Sequence, residues 1–428
     1  MDIARLYAIY KRTRKVSTDT RADIEGSIFF CLKGPNFDAN AFAEKALAQG
    51  ALHVVADDPA LAGKENITVT ADALDTLQEL ARHHRSHLKC PVIGLTGSNG
   101  KTTNKELIAA VLEKKYAVTY TRGNLNNHIG VPLTLLSVPA DAEMAVIEMG
   151  ANHQGEIKAL SEIARPDFGM ITNIGKAHLE GFGGLEGVRK GKGELFDFLR
   201  KNSDHRVFLN ADDPVLTDMA RGMNAVTFGT REGAYITGQP LGGVNAGLRY
   251  RQGDFESDEI VTELTGGFNF VNILAAVCIG RYFGVDHAAV KEALEAYRPT
   301  QNRSQSVKTE RNTVILDAYN ANPSSMAFAL AHFAERPEPN KIAILGQMHE
   351  LGASSEEEHA ALVEQVRTLG LEAFFVGPLF GAADTSGFRR FDQTSDLLAH
   401  LQNNPLRNRT VLLKGSRLVA LEKAVEVL

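Results

Sequence analysis

The sequence predicts an α/β protein of three domains, with parallel sheets in the second and third. Two observations carry this expectation. At 428 residues the chain is too long for one hydrophobic core. From Pro91 onward, short apolar runs alternate with stretches of helical period, the pattern of βαβ units.

Three blocks divide the chain at 1–88, 89–298 and 299–428. In the first, Ser27–Leu32 and Ala51–Ala56 read as strands, with a helix over Ala41–Gln49 between them. In the second, Pro91–Thr96 is an apolar run that enters a Gly-rich turn. A helix follows from Lys101 to about Glu113, with Leu107, Ile108, Val111 and Leu112 on one face. Met144–Met149 and Phe168–Ile174 read as buried parallel strands. The third block alternates strands at Val314–Asp317, Ile342–Gly346, Ala373–Gly377 and Thr410–Lys414 with helices. One of those helices opens with Ser354 and Ser355 ahead of Glu357 and Glu358, a double capping-box pattern.

Composition narrows the function classes. The formal net charge is −6, and the basic residues are spread along the chain, which argues against a nucleic-acid partner. The three cysteines, Cys31, Cys90 and Cys278, are too far apart in sequence for a disulfide framework or a zinc spacing. The N-terminus lacks a signal-peptide core, and no apolar run approaches the roughly 20 residues of a membrane span. The expectation is a cytoplasmic protein free of the membrane.

The most informative segment is Thr96-Gly97-Ser98-Asn99-Gly100-Lys101-Thr102-Thr103, between a predicted strand and a predicted helix. Glycines there let backbone N–H groups turn inward around phosphate oxygens, and the helix N-terminus adds its positive dipole end. Lys101 places a cation near the outer phosphates, and the Thr102 hydroxyl is within reach of a magnesium ion. Leu95 stands where the strict motif has its first glycine, and Gly94 lies one residue earlier. The alternative is a Gly-rich turn that opens a helix by chance.

Three further residues stand out. Glu148 ends an apolar strand, where open α/β sheets bind ligands, and could hold the magnesium bridging the phosphates; the alternative is a solvated strand end. His178 follows the next strand, a position more often filled by a turn residue. Lys192 lies on the apolar stripe of the helix from Gly187 to about Lys201, with Val188, Leu195, Phe196 and Leu199. A lysine there must be paired, snorkel to solvent or change its chemistry.

These residues resemble the Mur ligases, the ATP-dependent amide-forming enzymes of peptidoglycan precursor synthesis. The resemblance covers nearly the whole chain. It rests on Ser17–Arg21, GLTGSNGKTT (94–103), GNLNNHIGVPLTLL (123–136), EMGANHQGEI (148–157), ITNIGKAHLEGFG (171–183), KGELF (192–196), YNANPSSM (319–326), LGQMHELG (345–352) and LLKGSR (412–417). It implies an N-terminal domain for the UDP end of a sugar nucleotide, a central ATP-binding domain, and a Rossmann-like C-terminal domain that takes a dipeptide and closes over ATP.

The resemblance also implies residue roles. Gly97, Ser98, Asn99, Gly100, Lys101, Thr102 and Thr103 would hold the ATP phosphates, with Asn269 on adenine and Arg303 and Asp317 reaching over from the third domain. Thr102 and Glu148 would hold one Mg2+, and His178 with a carbamylated Lys192 a second. Lys101, His178 and Lys192 would be catalytic. Ser17, Thr18, Arg21, Asn124 and Asn127 would bind the UDP-muropeptide; Asn320, Asn322, Lys414 and Ser416 would bind the dipeptide, unless the YNANP segment is only a polar turn. The implied reaction joins D-alanyl-D-alanine to UDP-N-acetylmuramoyl-tripeptide through an acyl phosphate, in a monomer.

Some positions depart from the family pattern. Phe268 stands before Asn269 where histidine is common, Gln347 replaces a usual aspartate, and Ala318 and the Gln301-Asn302-Arg303 context also differ. Rival readings are a family member that adds a single amino acid, folylpolyglutamate synthetase, a phosphotransferase or switch GTPase, and a non-catalytic nucleotide scaffold. The YNANP and LGxMxELG segments oppose the first two. A GTPase would need an N-K-x-D motif after a strand, and the Asn104-Lys105 pair lies within the helix after the phosphate loop. The combined Lys101, Thr102, Glu148, His178 and Lys192 set opposes a scaffold.

Overall fold

The computed structural model describes residues 2–299 and 302–428; Gln301 lies outside them. The described chain builds three main sheets and one small hairpin.

The first unit runs α1 (Ile3–Thr13), β1 (Val16–Ser17), β2 (Ile28–Phe30), the hairpin β3 (Lys33–Gly34) and β4 (Phe37–Asp38), α2 (Ala43–Ala48), β5 (His53–Ala56), β6 (Ile67–Val69) and α3 (Ala73–Arg85). Its sheet has the order β1-β2-β5-β6, all parallel. Alternation along the strands divides the core. Ile28, Phe30 and Val55 face a cluster with α1 and α3, while Phe29, Val54 and Ala56 face Ala43 and Ala46 of α2. The expected helix over 41–49 starts instead as a 3-10 turn at Ala39–Phe42, where Asp38 caps by accepting from Asn40 N–H.

The second unit comprises β7 (Val92–Thr96), α4 (Lys101–Leu112), β8 (Val118–Tyr120), α5 (Gly130–Leu136), β9 (Met144–Glu148), α6 (Glu156–Ala164), β10 (Phe168–Ile171), α7 (Leu179–Phe182), α8 (Leu185–Leu199), β11 (Arg206–Asn210), α9 (Pro214–Met219), β12 (Ala225–Gly229), β13 (Ile236–Pro240), β14 (Asn245–Gln252), β15 (Phe255–Glu256), β16 (Ile260–Thr265), α10 (Asn269–Tyr282) and α11 (His287–Ala296). Its ten-stranded sheet has the order β15-β14-β13-β12-β11-β10-β7-β9-β8, with β16 also paired to β14. The strands from β8 to β13 are parallel. Strand β14 pairs antiparallel with β13, β15 and β16, an extension that the expectation of a parallel sheet lacks. Its signal was period two over its second half: Leu248 and Tyr250 are buried, and Arg249 and Arg251 are exposed.

The third unit contains β17 (Gln305–Lys308), β18 (Thr313–Asp317), α12 (Pro323–Glu335), β19 (Lys341–Gly346), α13 (Ser355–Thr368), β20 (Glu372–Val376), β21 (Arg389–Phe391), α14 (Thr394–Asn403) and β22 (Thr410–Lys414). The sheet order is β17-β18-β22-β19-β20-β21, parallel except for the edge strand β17. The expected capping boxes at the start of α13 do not form. A 3-10 turn over Gly352–Ser354 runs straight into the helix, so Ser354 has helical dihedrals and makes no side-chain cap bond. Capping boxes instead open α12, at Asn322 and Ser325, and α14, at Gln393 and Asp396.

Candidate active site

Strand β7 lies between β10 and β9, and its end delivers the chain into the 97–100 turn. Gly97 has φ 141°, and a Cβ there would stand 2.0 Å from Thr172 Oγ1, so only glycine fits. Gly100, at φ 78°, starts α4 from the left-handed region. The loop is tied to the segment after β10. Ser98 Oγ donates to Gly175 O at 3.0 Å, Asn99 N–H donates to Asn173 Oδ1 at 3.1 Å, and Thr172 Oγ1 donates to Asn99 O at 2.6 Å. Thr172 N–H still donates to Thr96 O at 2.9 Å, but β10 ends at Ile171 and not at the expected Ile174.

Lys101 folds back over the loop and donates to Gly97 O at 2.7 Å and Ser98 O at 3.2 Å. Desolvation is the main force on its amine. Glu148 opposes that effect and Arg303 adds to it, and the pKa falls to about 8. Glu148 ends β9, opposite Leu95 of β7, and is buried. Its Oε1 accepts from Thr102 Oγ1 at 3.3 Å and Asn126 Nδ2 at 2.8 Å. Its Oε2 is sealed from solvent with no hydrogen-bond partner among the described residues, and Lys105 Nζ stands 3.9 Å away. A buried carboxylate oxygen without a donor, beside a threonine hydroxyl, suits a divalent cation.

Lys192 is fully buried at 0% exposure, so snorkelling is excluded. Its Nζ donates to Ala151 O at 2.9 Å and lies 4.7 Å from the centre of the Phe182 ring. Burial, reinforced by the Lys101 cation, holds its amine well below the ordinary lysine range. His178, at φ 52°, has Nδ1 2.5 Å from Glu350 Oε2 in the third unit. Among the described residues no three His, Cys, Asp or Glu side chains are grouped to hold a metal.

The phosphate loop, Glu148 and His178, but not Lys192, line a cavity of about 720 Å³ between the second and third units. Ser98 to Thr103, Glu148 and His178 form one wall; Arg303, Asp317, Tyr319, Asn320, Asn322 and Lys414 come from the other side. Binding sites for small molecules run from ~300 to ~1,000 Å³. Arg303 stacks on the Tyr319 ring at 3.8 Å. Asp317 and Lys414, assigned separately to nucleotide and dipeptide, form one ion pair at 2.5 Å.

Two family models match the chain: the Mur ligase middle domain over residues 95–280, and the Mur ligase glutamate ligase domain over residues 302–417. A Bacillus subtilis protein named UDP-N-acetylmuramoyl-tripeptide–D-alanyl-D-alanine ligase is 35% identical, over 96% of this chain and 92% of its own length. The chain belongs to the Mur ligase family. An Escherichia coli protein of the same name is also 35% identical, over 96% of this chain and 93% of its own. Among solved structures, MurF from Acinetobacter baumannii has a TM-score of 0.87 at 28% identity, covering 98% of this chain and 97% of its own. MurF ligase from Thermotoga maritima in complex with ADP has a TM-score of 0.85 at 28% identity, covering 100% and 98%. This Mur ligase is accordingly an ATP-dependent ligase.

The structure distributes the residues assigned from sequence unevenly. Asn124 and Asn127 of this Mur ligase line the cavity, but Ser17, Thr18 and Arg21 are not part of its lining. Arg21 is exposed and chelates Asp19, which it holds down to a pKa of about 2. Asn269 lines the cavity with its amide committed, donating to Thr265 O and accepting from Asn272 Nδ2, each at 2.8 Å. Asn322 lines it too, but its carboxamide is bonded to the phosphate loop. Ser416 is buried outside the lining and accepts from His349 N–H at 3.2 Å.

Sequence reasoning gave no site role to Asn104, Lys105, Asn126 or Asn272. Asn104 Nδ2 donates to Gly100 O at 2.9 Å and Asn272 Oδ1 at 2.7 Å, joining α10 to the loop. A buried lysine four residues after Lys101 was a usable signal. Isolated asparagines carry none until the chain is folded. No helix among the described residues is long and apolar enough to cross a membrane.

Proposed function

We propose that this Mur ligase joins D-alanyl-D-alanine to UDP-N-acetylmuramoyl-tripeptide, with ATP converted to ADP and phosphate. Residues 1–88 would hold the sugar nucleotide, 89–298 ATP, and 299–428 the dipeptide. The observation that supports this most directly is the phosphate loop with Lys101, Thr102 and Glu148 converging on a cavity that the third unit closes. The relatives named for this reaction align along nearly the full chain.

The chemistry needs activation, because a carboxylate oxygen is a poor leaving group. The tripeptide carboxylate attacks the γ-phosphorus of ATP; the bond to the β–γ bridging oxygen breaks, giving an acyl phosphate and ADP. The dipeptide amine then attacks the acyl carbon, and phosphate leaves as the amine loses a proton. Two anions must meet in the first step, and this chain offers positive charge there. Lys101 is pre-folded over the loop and the positive end of α4 opens onto the cavity, while the N–H groups of Ser98 and Asn99 are bonded to Asn173.

Glu148 with Thr102 would hold one Mg2+, and His178 with a carbamylated Lys192 a second; bound, these ions would offset phosphate charge. A neutral, buried amine is the form that adds carbon dioxide, releasing a proton and leaving an anionic carbamate. Burial and the Lys101 cation push Lys192 towards that form, against the opposing pull of Glu156 and Glu194. Arg303 and the Asp317–Lys414 pair close the cavity from the third unit and exclude water from the acyl phosphate. Asn320 and Lys414 are the proposed dipeptide contacts.

The test is phosphate release with Mg-ATP. The expected result is turnover only when the UDP-muropeptide and D-alanyl-D-alanine are both present. Turnover with single amino acids and none with the dipeptide would overturn the assignment.

A further inference from the structure

Among the described residues, the third unit hydrogen-bonds the phosphate loop through the side chain of Asn322. Asn322 is the N-cap of α12. Its Oδ1 accepts from Ser325 N–H at 2.9 Å, and its own N–H donates to Ser325 Oγ at 3.1 Å. This box fixes which end of the carboxamide is oxygen, so Nδ2 must point away from the helix. There it donates to Asn99 Oδ1 at 2.8 Å, across 223 residues of sequence.

Asn99 is the tip of the phosphate loop. Its backbone is held from within the second unit, by Asn173 and Thr172. Its side chain is not: Nδ2 is buried with no hydrogen-bond partner among the described residues. The orientation of the Asn99 carboxamide therefore depends on Asn322. Neighbouring contacts bring the same two surfaces together. Ser324 Oγ accepts from Lys176 N–H at 2.9 Å, and a Cβ on Gly175 would stand 2.9 Å from Ser324 Oγ and 3.4 Å from Asn99 Nδ2.

We propose that Asn322 is a positioning residue for phosphoryl transfer: from the start of α12 it sets the tip of the phosphate loop through Asn99, so that the loop reaches its working shape only when the third unit is docked. The inference rests on the reaction proposed above. It assigns Asn322 to the loop and leaves the dipeptide to its neighbours. A ligase benefits from this order, because an acyl phosphate made with the third unit undocked would be lost to water.

The experiment uses the full chain with Asn322→Ser, Asn99→Ala and the double variant. Serine is as good an N-cap as asparagine but lacks the N–H that reaches Asn99, so the helix start is retained; melting temperatures confirm folding. The expected result is a kcat lower by about tenfold in each single variant, the scale of coupling between contacting residues. KM for D-alanyl-D-alanine stays within about twofold, and the double variant is no slower than the worse single one. Calorimetry supplies a second readout: ADP affinity holds, while the advantage of a non-hydrolysable ATP analogue over ADP shrinks. A raised KM for the dipeptide with kcat intact would make Asn322 a dipeptide contact and overturn the inference. Unchanged kinetics would reduce it to a helix cap, and additive losses would break the link to Asn99. A wild-type chain without dipeptide-dependent phosphate release would instead sink the assigned reaction.

Discussion

Lys101 shows how a single residue's charge is prepared. Unfolded, a lysine keeps its proton to about pH 10.5; folded, Lys101 releases it near 8. Between those values the unfolded chain binds more protons, so this residue's contribution to stability rises with pH, and its cost is complete below about 8. Lys101→Met removes that slope. Its stability relative to wild type should be most favourable below pH 8 and decline towards pH 10, as read by chemical denaturation at a series of pH values. The opposite trend would show that the apo loop stabilises the cation. Gly97→Ala belongs to the same scale. It combines a disfavoured φ with a 2.0 Å clash against Thr172, and each effect costs about 1–3 kcal/mol. The expected outcome is a lower melting temperature and loss of ADP binding by calorimetry. The phosphate loop was legible in sequence because glycine, lysine and threonine at fixed spacing have one physical use. The Asn104–Asn272 pair and the Asn126 bond to Glu148 were not, because an asparagine's role depends on which distant group it meets.

Among the elements, α8 places Lys192, and glycines decide how closely α7 approaches it. A Cβ on Gly191 would lie 2.4 Å from Phe182 Cε1, and one on Gly187 would lie 1.8 Å from Phe182 O. Phe182 in turn covers the Lys192 amine. Gly191→Ala should cost about 1–3 kcal/mol by overpacking and lower activity by shifting that ring. Gly193→Ala, whose Cβ would meet only Met219 Cε at 3.1 Å, should cost less in the same melting assay. The helical stripe carrying Lys192 was readable from its period. The start of α13 was misread because the capping pattern Ser354–Glu357 ignores the turn before it, which fixes Ser354 in helical dihedrals. The strands over 245–265 were missed because half-covered strands alternate and contain no apolar run.

In the whole molecule, the two joints around the second unit differ. The first unit lays α3 along α5 and α6, and its apolar residues share one buried cluster with theirs, a cluster that also takes in Ile315, Met326 and Leu351 of the third unit. Between them Tyr10 donates to Leu136 O at 2.7 Å. Much of the joint to the third unit is polar: Lys176 with Glu358 at 2.5 Å, His178 with Glu350, and Asn322 with Asn99. Partly exposed pairs of this kind contribute about 1 kcal/mol or less each, and such joints open readily. The double variant Lys176→Ala, Glu350→Ala should therefore leave the melting temperature nearly unchanged and enlarge the radius of gyration in small-angle scattering without nucleotide. An unchanged radius would show that the joint is held by other contacts. None of these pairings could be read from sequence, since each links residues more than a hundred positions apart.

The apolar bond between the first two units has a consequence for the order of events. On the proposed assignment, a sugar nucleotide on the first unit and ATP on the second would rest on surfaces that share one buried apolar cluster. The amine, proposed for the third unit, would arrive across the joint that carries the Lys176–Glu358 and Asn322–Asn99 pairs.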